Sequence, residues 1–242
     1  MGKRSAGAVF RMFIALLAGA ICIYLGAADA YIWFSGNKID INTSSRSEYD
    51  MPSAAEGEVF VVQSVMTSEE RFREFGIIPV KRKVKYYLIT NLMRDDWVHA
   101  ITSAEYGVFD SGFYTLIRVS DNDRIKLFDQ VSDKTERYIA KLMKGSYNSA
   151  VPAVSIKING KLVRQRTDTA YINARDSWLE SAKVDKDTLT EYIISDEAPD
   201  KYDPFLALCG AAVSLIALIG IIVQTICNSI IRKKEKQKHL LY

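Results

Sequence analysis

The chain has 242 residues with 32 Lys/Arg, 29 Asp/Glu and three cysteines, and a formal net charge of +3. The excess belongs to the ends: Lys3, Arg4 and Arg11 open the chain and Arg232, Lys233, Lys234, Lys236 and Lys238 close it, whereas residues 35–203 carry 24 basic and 27 acidic residues, a net of −3. The charge therefore gives no reason to expect a nucleic-acid partner, and the lack of cysteine in 35–203 excludes thiol catalysis and cysteine metal sites there.

The first element is 12–34. Residues 12–28 are uncharged, Asp29 interrupts, and apolar character resumes through Phe34. A bilayer core about 30 Å thick needs roughly 20 apolar helical residues, so this stretch reads as a transmembrane helix. It also has signal-peptide features, with a basic start and a small-x-small site at Ala28-Asp29-Ala30. Tyr31, Ile32, Trp33 and Phe34 continue past that site as an interfacial aromatic belt, which favours an uncleaved anchor with Asp29 snorkelling near the outer interface.

Residues 35–57 are polar and serine-rich and read as a tether; Asn42-Thr43-Ser44 within them fits a glycosylation sequon. The folded part, 58–203, begins with a strand over 59–65 and a charged helical turn over 67–75. The clearest strand is 80–92: Val80, Arg82, Val84 and Tyr86 alternate with Lys81, Lys83 and Lys85, and an apolar run over 87–89 follows. Two more strands are expected at 97–104 and 112–119, then a polar turn at 120–124.

Asp133 and Glu136 have capping-box spacing ahead of Tyr138, Ile139, Leu142 and Met143, which predicts a helix ending at Gly145. Asn159-Gly160 between 153–158 and 161–166 predicts a hairpin with a type I′ turn. Helices are expected at 171–182 and 187–194. Residues 204–231 form the second transmembrane helix after Pro204, and 232–242 form a basic tail. Basic residues beside span ends are retained in the cytoplasm, so residues 1–11 and 232–242 are expected there, with 35–203 outside the cytosol of a cell membrane.

The expected fold class is α+β: a mostly antiparallel sheet or small OB-like barrel with two or three helices, flanked by the two transmembrane helices. At the strand over 84–91 and the hairpin over 154–163 the layout resembles uncharacterised bacterial two-span membrane proteins with a small extracytoplasmic domain. The resemblance implies a topology and brings no catalytic residues.

Chemistry is sparse. His99, the sole histidine of 35–203, would need Ser103, Ser111 or Ser120 and Asp95, Asp96 or Asp110 to build a hydrolase triad, and no Gly-x-Ser-x-Gly elbow accompanies it. Asp121-Asn122-Asp123 opens like a calcium loop but lacks the later glycine and glutamate, so it reads as a turn; no metal or cofactor is implied. Lys81, Arg82, Lys83 and Lys85 beside Tyr86 and Tyr87 form the densest basic and aromatic patch, which Arg164 and Arg166 would extend. Small residues at Cys22, Gly26 and Ala30, and at Ala207, Gly210, Ala211 and Ser214, suit close helix packing on each other or on a partner.

The expectation is a non-enzymatic, membrane-anchored interaction, scaffold or sensory domain. Its partners would be the bilayer and another membrane or surface protein, with homo-oligomerisation through the spans an option. The alternatives are an accessory subunit of a transport complex and a surface hydrolase using His99.

Overall fold

A computed structural model describes residues 2–74, 78–90, 113–144 and 154–239. In chain order the elements are α1 (Gly2–Ser35), β1 (Lys38–Asp40), β2 (Ala54–Val59), β3 (Ser64–Glu74), β4 (Ile78–Thr90), β5 (Tyr114–Val119), α2 (Asn122–Met143), β6 (Ile156–Arg164), α3 (Thr169–Ser181), β7 (Tyr192–Ser195) and α4 (Asp203–His239). Short 3-10 turns cover Arg46–Asp50 and Lys186–Thr188. The chain divides into two units, one made of the terminal segments up to Ser35 and from Asp200, the other of Gly36–Pro199.

In the terminal unit, α1 and α4 are each long and apolar enough to cross a membrane over Gly7–Ser35 and Asp203–Ile231, with mean hydropathies of 2.2 and 2.8. Pro204 sits in the first turn of α4, where its missing N–H costs nothing. Asp29 departs from expectation. It is buried, and its carboxylate accepts a 2.8 Å hydrogen bond from the Asp200 backbone N–H.

The central unit is α+β and is built on one seven-stranded mixed sheet in the order β1-β2-β6-β7-β5-β4-β3. β1/β2 and β5/β7 are parallel and the other neighbours antiparallel. The sheet is open, with β1 and β3 at its edges, so the OB-like barrel is not formed. Helices cover both faces. On one, Ile125, Phe128 and Val131 of α2 pack with Tyr87, Ile89, Ile117, Ile158, Leu162 and Ile194. On the other, Tyr171 and Leu179 of α3 pack with Val84, Tyr86, Leu88, Leu116 and Ile193. Alternation along β4 sends Tyr86 and Leu88 to α3 and Tyr87 and Ile89 to α2, the pattern of a strand buried on both sides. Phe128, fully buried and stacked on Tyr87 at 4.7 Å between ring centroids, contributes about 1.5–3 kcal/mol.

Several expected elements differ. The tether contains β1, β2 and a 3-10 turn and is part of the sheet, because Ile39, Ile41, Tyr49 and Ala55 bury into the core. The sequon asparagine is engaged: Asn42 donates to the Glu58 carbonyl and accepts from the Glu58 N–H, both at 2.8 Å. The charged stretch from 67 is strand β3 rather than a helical turn, since its register sets Glu69 opposite Lys83 and Glu70 opposite Arg82. α2 begins at Asn122, not near Asp133. The Asp121 carboxylate accepts from the N–H groups of Asp123 and Arg124 at 3.0 and 2.9 Å, so Asp121-Asn122-Asp123 is a helix start.

Asn159-Gly160 makes no hairpin. β6 runs straight through it, with Asn159 opposite Glu56 and Gly160 opposite Ala55 on β2. The helix expected at 187–194 is a short 3-10 turn followed by β7, whose Ile193 and Ile194 serve opposite core faces. The strand expected at 97–104 lies outside the described residues.

Candidate functional site

Among the small residues singled out in the two apolar helices, Gly26 meets Ala207 and Gly210 meets Cys22. A Cβ added at Gly26 would overlap the Asp203 carbonyl oxygen and come within 3.2 Å of the Ala207 Cβ. One added at Gly210 would lie 2.8 Å from the Cys22 Cβ and 2.6 Å from the Gly19 carbonyl oxygen, and one at Gly19 would overlap Ser214 Oγ. Gly220 packs on Met12 in the same sense. Rising numbers on α4 thus meet falling numbers on α1, so the helices are antiparallel and in close backbone contact. Ala30 is buried, whereas Ala211 is exposed. The large apolar residues point away: Phe10, Phe13, Leu17, Leu215, Ile216 and Ile219 are all more than half exposed.

The six residues of the basic and aromatic strand do not share a surface. Tyr86 and Tyr87 are fully buried on opposite sheet faces. Lys85 donates to both oxygens of Asp129 at 2.7 and 2.8 Å, and Tyr87 donates to the same carboxylate at 2.9 Å. Burial, then Asp129, raises the Tyr87 pKa. Lys81, Arg82 and Lys83 are exposed, two of them in register with acids of β3.

On the α3 face, one carboxylate gathers several cations. Glu70 of β3 accepts from Arg118 Nη2 at 2.8 Å and Nε at 3.2 Å and from the Tyr86 hydroxyl, and Arg166 Nη1 lies 3.4 Å away. Burial alone would raise the Glu70 pKa. The hydrogen bonds from Arg118 and Tyr86, with the charges of Arg118 and Arg166, outweigh it and hold the carboxyl below its ordinary value. Arg166 also stands 5.5 Å over the Tyr171 ring.

Arg166 belongs at the same time to the wall of a cleft of about 660 Å³. The 3-10 turn at Arg46–Asp50, the end of β6 and the residues after it, α3, and the segment 186–191 line this cleft. Five cations line it, Arg46, Arg164, Arg166, Arg175 and Lys186, against three acids, Asp50, Asp187 and Glu191. Arg46 Nη2 donates to the backbone carbonyls of Asp187 and Leu189 at 2.6 and 3.2 Å, closing a separation of 141 residues in the first case. Arg175 is held by Gln165 at 2.9 Å and Asp176 at 2.7 Å, and Arg166 by Asp168 at 2.8 Å. Arg164 pairs with Glu191 at 2.6 Å on the exposed rim.

Arg164 and Arg166 were visible in the sequence as an extension of a basic patch, and here they join a different set. Arg46, Arg175 and Lys186 were missed because each stands in its own segment with no local motif. Of the triad residues, Ser120 donates to Glu197 at 2.6 Å, and His99, Asp95, Asp96, Ser103, Asp110 and Ser111 lie outside the described residues. No group of three metal-ligating side chains occurs among the described residues. Comparison with protein-family models, with curated proteins and with solved structures finds no match to this chain.

Proposed function

We propose that this protein is a non-enzymatic, membrane-anchored interaction or sensory domain. In this reading α1 and α4 span a cell membrane, both termini are cytoplasmic, and residues 36–199 recognise a partner or ligand outside the cytosol. The observation that carries the reading is the antiparallel pair itself, with small residues turned inward and large apolar side chains turned outward. Apolar surface left in water forgoes roughly 25 cal/mol per Å² relative to burial, and a hydrocarbon surround removes that deficit. Antiparallel packing also sets the two basic ends of the chain at the same end of the pair, which supports a shared cytoplasmic side. Because the small-residue faces occupy each other, the helices need no further span to cover them, which favours an anchor over a transport subunit.

The test is accessibility in intact cells. Cys22, Cys209 and Cys227 are replaced by alanine and Ala174, exposed on α3, by cysteine. A membrane-impermeant maleimide is expected to label this variant without lysis. Labelling that appears only after the membrane is opened would overturn the outside placement.

A further inference from the structure

We infer that the arginine-lined cleft binds a small, hydrophilic molecule carrying a polyvalent oxyanion, such as phosphate groups or several carboxylates. The inference rests on reading 36–199 as a binding domain, but not on which side of the membrane that domain lies.

The lining is the first argument. Four of the five cations are arginines, whose planar forks match the paired oxygens of phosphate and carboxylate better than lysine does. They arrive from three separate elements, so one ligand can meet forks from different sides. The volume, about 660 Å³, lies in the range of small-molecule sites, roughly 300–1,000 Å³. Only Ile172 and Leu189 among the lining residues are large and apolar, so the ligand is polar.

Positioning is the second argument. Arg175 and Arg166 are fixed by Asp176, Gln165 and Asp168, and Arg46 is fixed by backbone carbonyls. Fixed side chains lose little freedom when a ligand arrives. Spare donors remain. Among the described residues, Arg46 uses only Nη2, and Arg164 uses only Nη2 on Glu191, which leaves Nε and Nη1 of both without a protein acceptor.

The opposing charges are the strongest counterargument. Asp168 and Glu70 neutralise part of Arg166, and Asp176 part of Arg175, while Arg46 and Lys186 have no carboxylate partner among the described residues. Arg164–Glu191 is a solvent-exposed pair, and exposed pairs are weak, so a ligand oxygen can take the place of Glu191.

The experiment uses the full chain in phosphatidylcholine nanodiscs, titrated calorimetrically with pyrophosphate and with citrate, with dihexanoyl phosphatidic acid in a parallel arm. Saturable binding of either soluble anion, weakening as salt rises, is the expected result. Binding of the lipid alone keeps the oxyanion chemistry and assigns its source to a headgroup. Arg164→Gln, which gives up only an exposed ion pair, should weaken binding by about tenfold, the scale of one charge-assisted contact. Lys186→Gln should weaken it less, and Lys83→Gln, at an exposed position of β4 outside the cleft lining, should leave it unchanged. Absence of saturable binding in all three arms overturns the proposal. So does equal weakening by Lys83→Gln and Arg164→Gln, which would show diffuse attraction instead of a site. Either failure leaves the membrane topology untouched, because maleimide labelling decides that separately.

Discussion

Glu70 and Arg118 meet across an intervening strand: Arg118 Nη2 and Nε donate to one carboxylate oxygen of Glu70, and Tyr86 of that middle strand donates to the other. The pair ties edge strand β3 to interior strand β5. Removing one partner of such a buried pair leaves the other charged and dry, which costs about 3–5 kcal/mol. Arg118→Leu should therefore lower the urea midpoint strongly, and Glu70→Gln, which keeps an acceptor oxygen, should lower it less.

The same pair predicts an acid limb. The Glu70 carboxyl is held below its ordinary value of 4.5, so as pH falls the unfolded chain takes up the proton first. The stabilisation is complete above about 4.5 and is lost as pH drops through the lower folded value. Denaturant midpoints measured against pH should fall more steeply below 4.5 for the wild type than for Glu70→Gln. Parallel curves would remove Glu70 as the cause.

Gly160 lies against the Ser195 carbonyl. A Cβ at that position would overlap the oxygen and approach Ser195 C at 3.1 Å and Asp196 Cα at 3.4 Å, all of them backbone atoms that cannot rotate away. Gly160→Ala must push β7 off β6 and should cost about 1–3 kcal/mol, the usual range for forced overpacking. Thermal unfolding of the variant against Asn159→Ala, whose side chain is exposed, would test this. Equal melting temperatures would mean that the strands part at no cost.

Gly160 also shows where sequence signals compete. Asn-Gly is a strong local turn signal, yet Ile156, Ile158 and Leu162 keep one unbroken alternation through it, and pairing with both β2 and β7 outweighs the local preference. The two apolar helices and the strand from Val84 to Ile89 were legible because period and length are properties of one segment. The start of α2 was hidden because Asp121-Asn122-Asp123 suits a turn and a helix cap equally well. In the cleft, Arg46 meets residues 141 positions away, and no pattern within one segment encodes that meeting.

Close approach of the two apolar helices gives a further prediction. Gly210 is hemmed in by Gly19 O, Cys22 Cβ and Ile23 N, whereas a Cβ at Gly7 of α1 would meet nothing within 4 Å. Gly210→Leu should force the helices apart and lower the unfolding temperature of the detergent-solubilised chain, by about 1–3 kcal/mol of stability. Gly7→Leu should leave it unchanged. If both substitutions act alike, propensity rather than packing governs the pair.

Buried tyrosines separate satisfied from unsatisfied hydroxyls. Tyr49 is wholly buried, its ring 5.4 Å from that of Phe113, and its hydroxyl has no hydrogen-bond partner among the described residues. Tyr86 is equally buried but donates to Glu70. An unpartnered buried hydroxyl costs about 1–3 kcal/mol, so Tyr49→Phe should stabilise the protein while Tyr86→Phe destabilises it. Their pH behaviour follows the same logic. Burial raises the pKa of Tyr49 and Tyr86 above the ordinary 10.0, and that of Tyr171 to about 12. The folded state keeps protons that the unfolded state releases, so their contribution is complete below 10.0 and is lost as pH rises from there towards the folded values. In an alkaline titration, tyrosinate absorbance from these residues should appear together with the loss of ellipticity. Tyr49→Phe should shift that joint transition to higher pH, and a shift to lower pH would show that its hydroxyl has a partner after all.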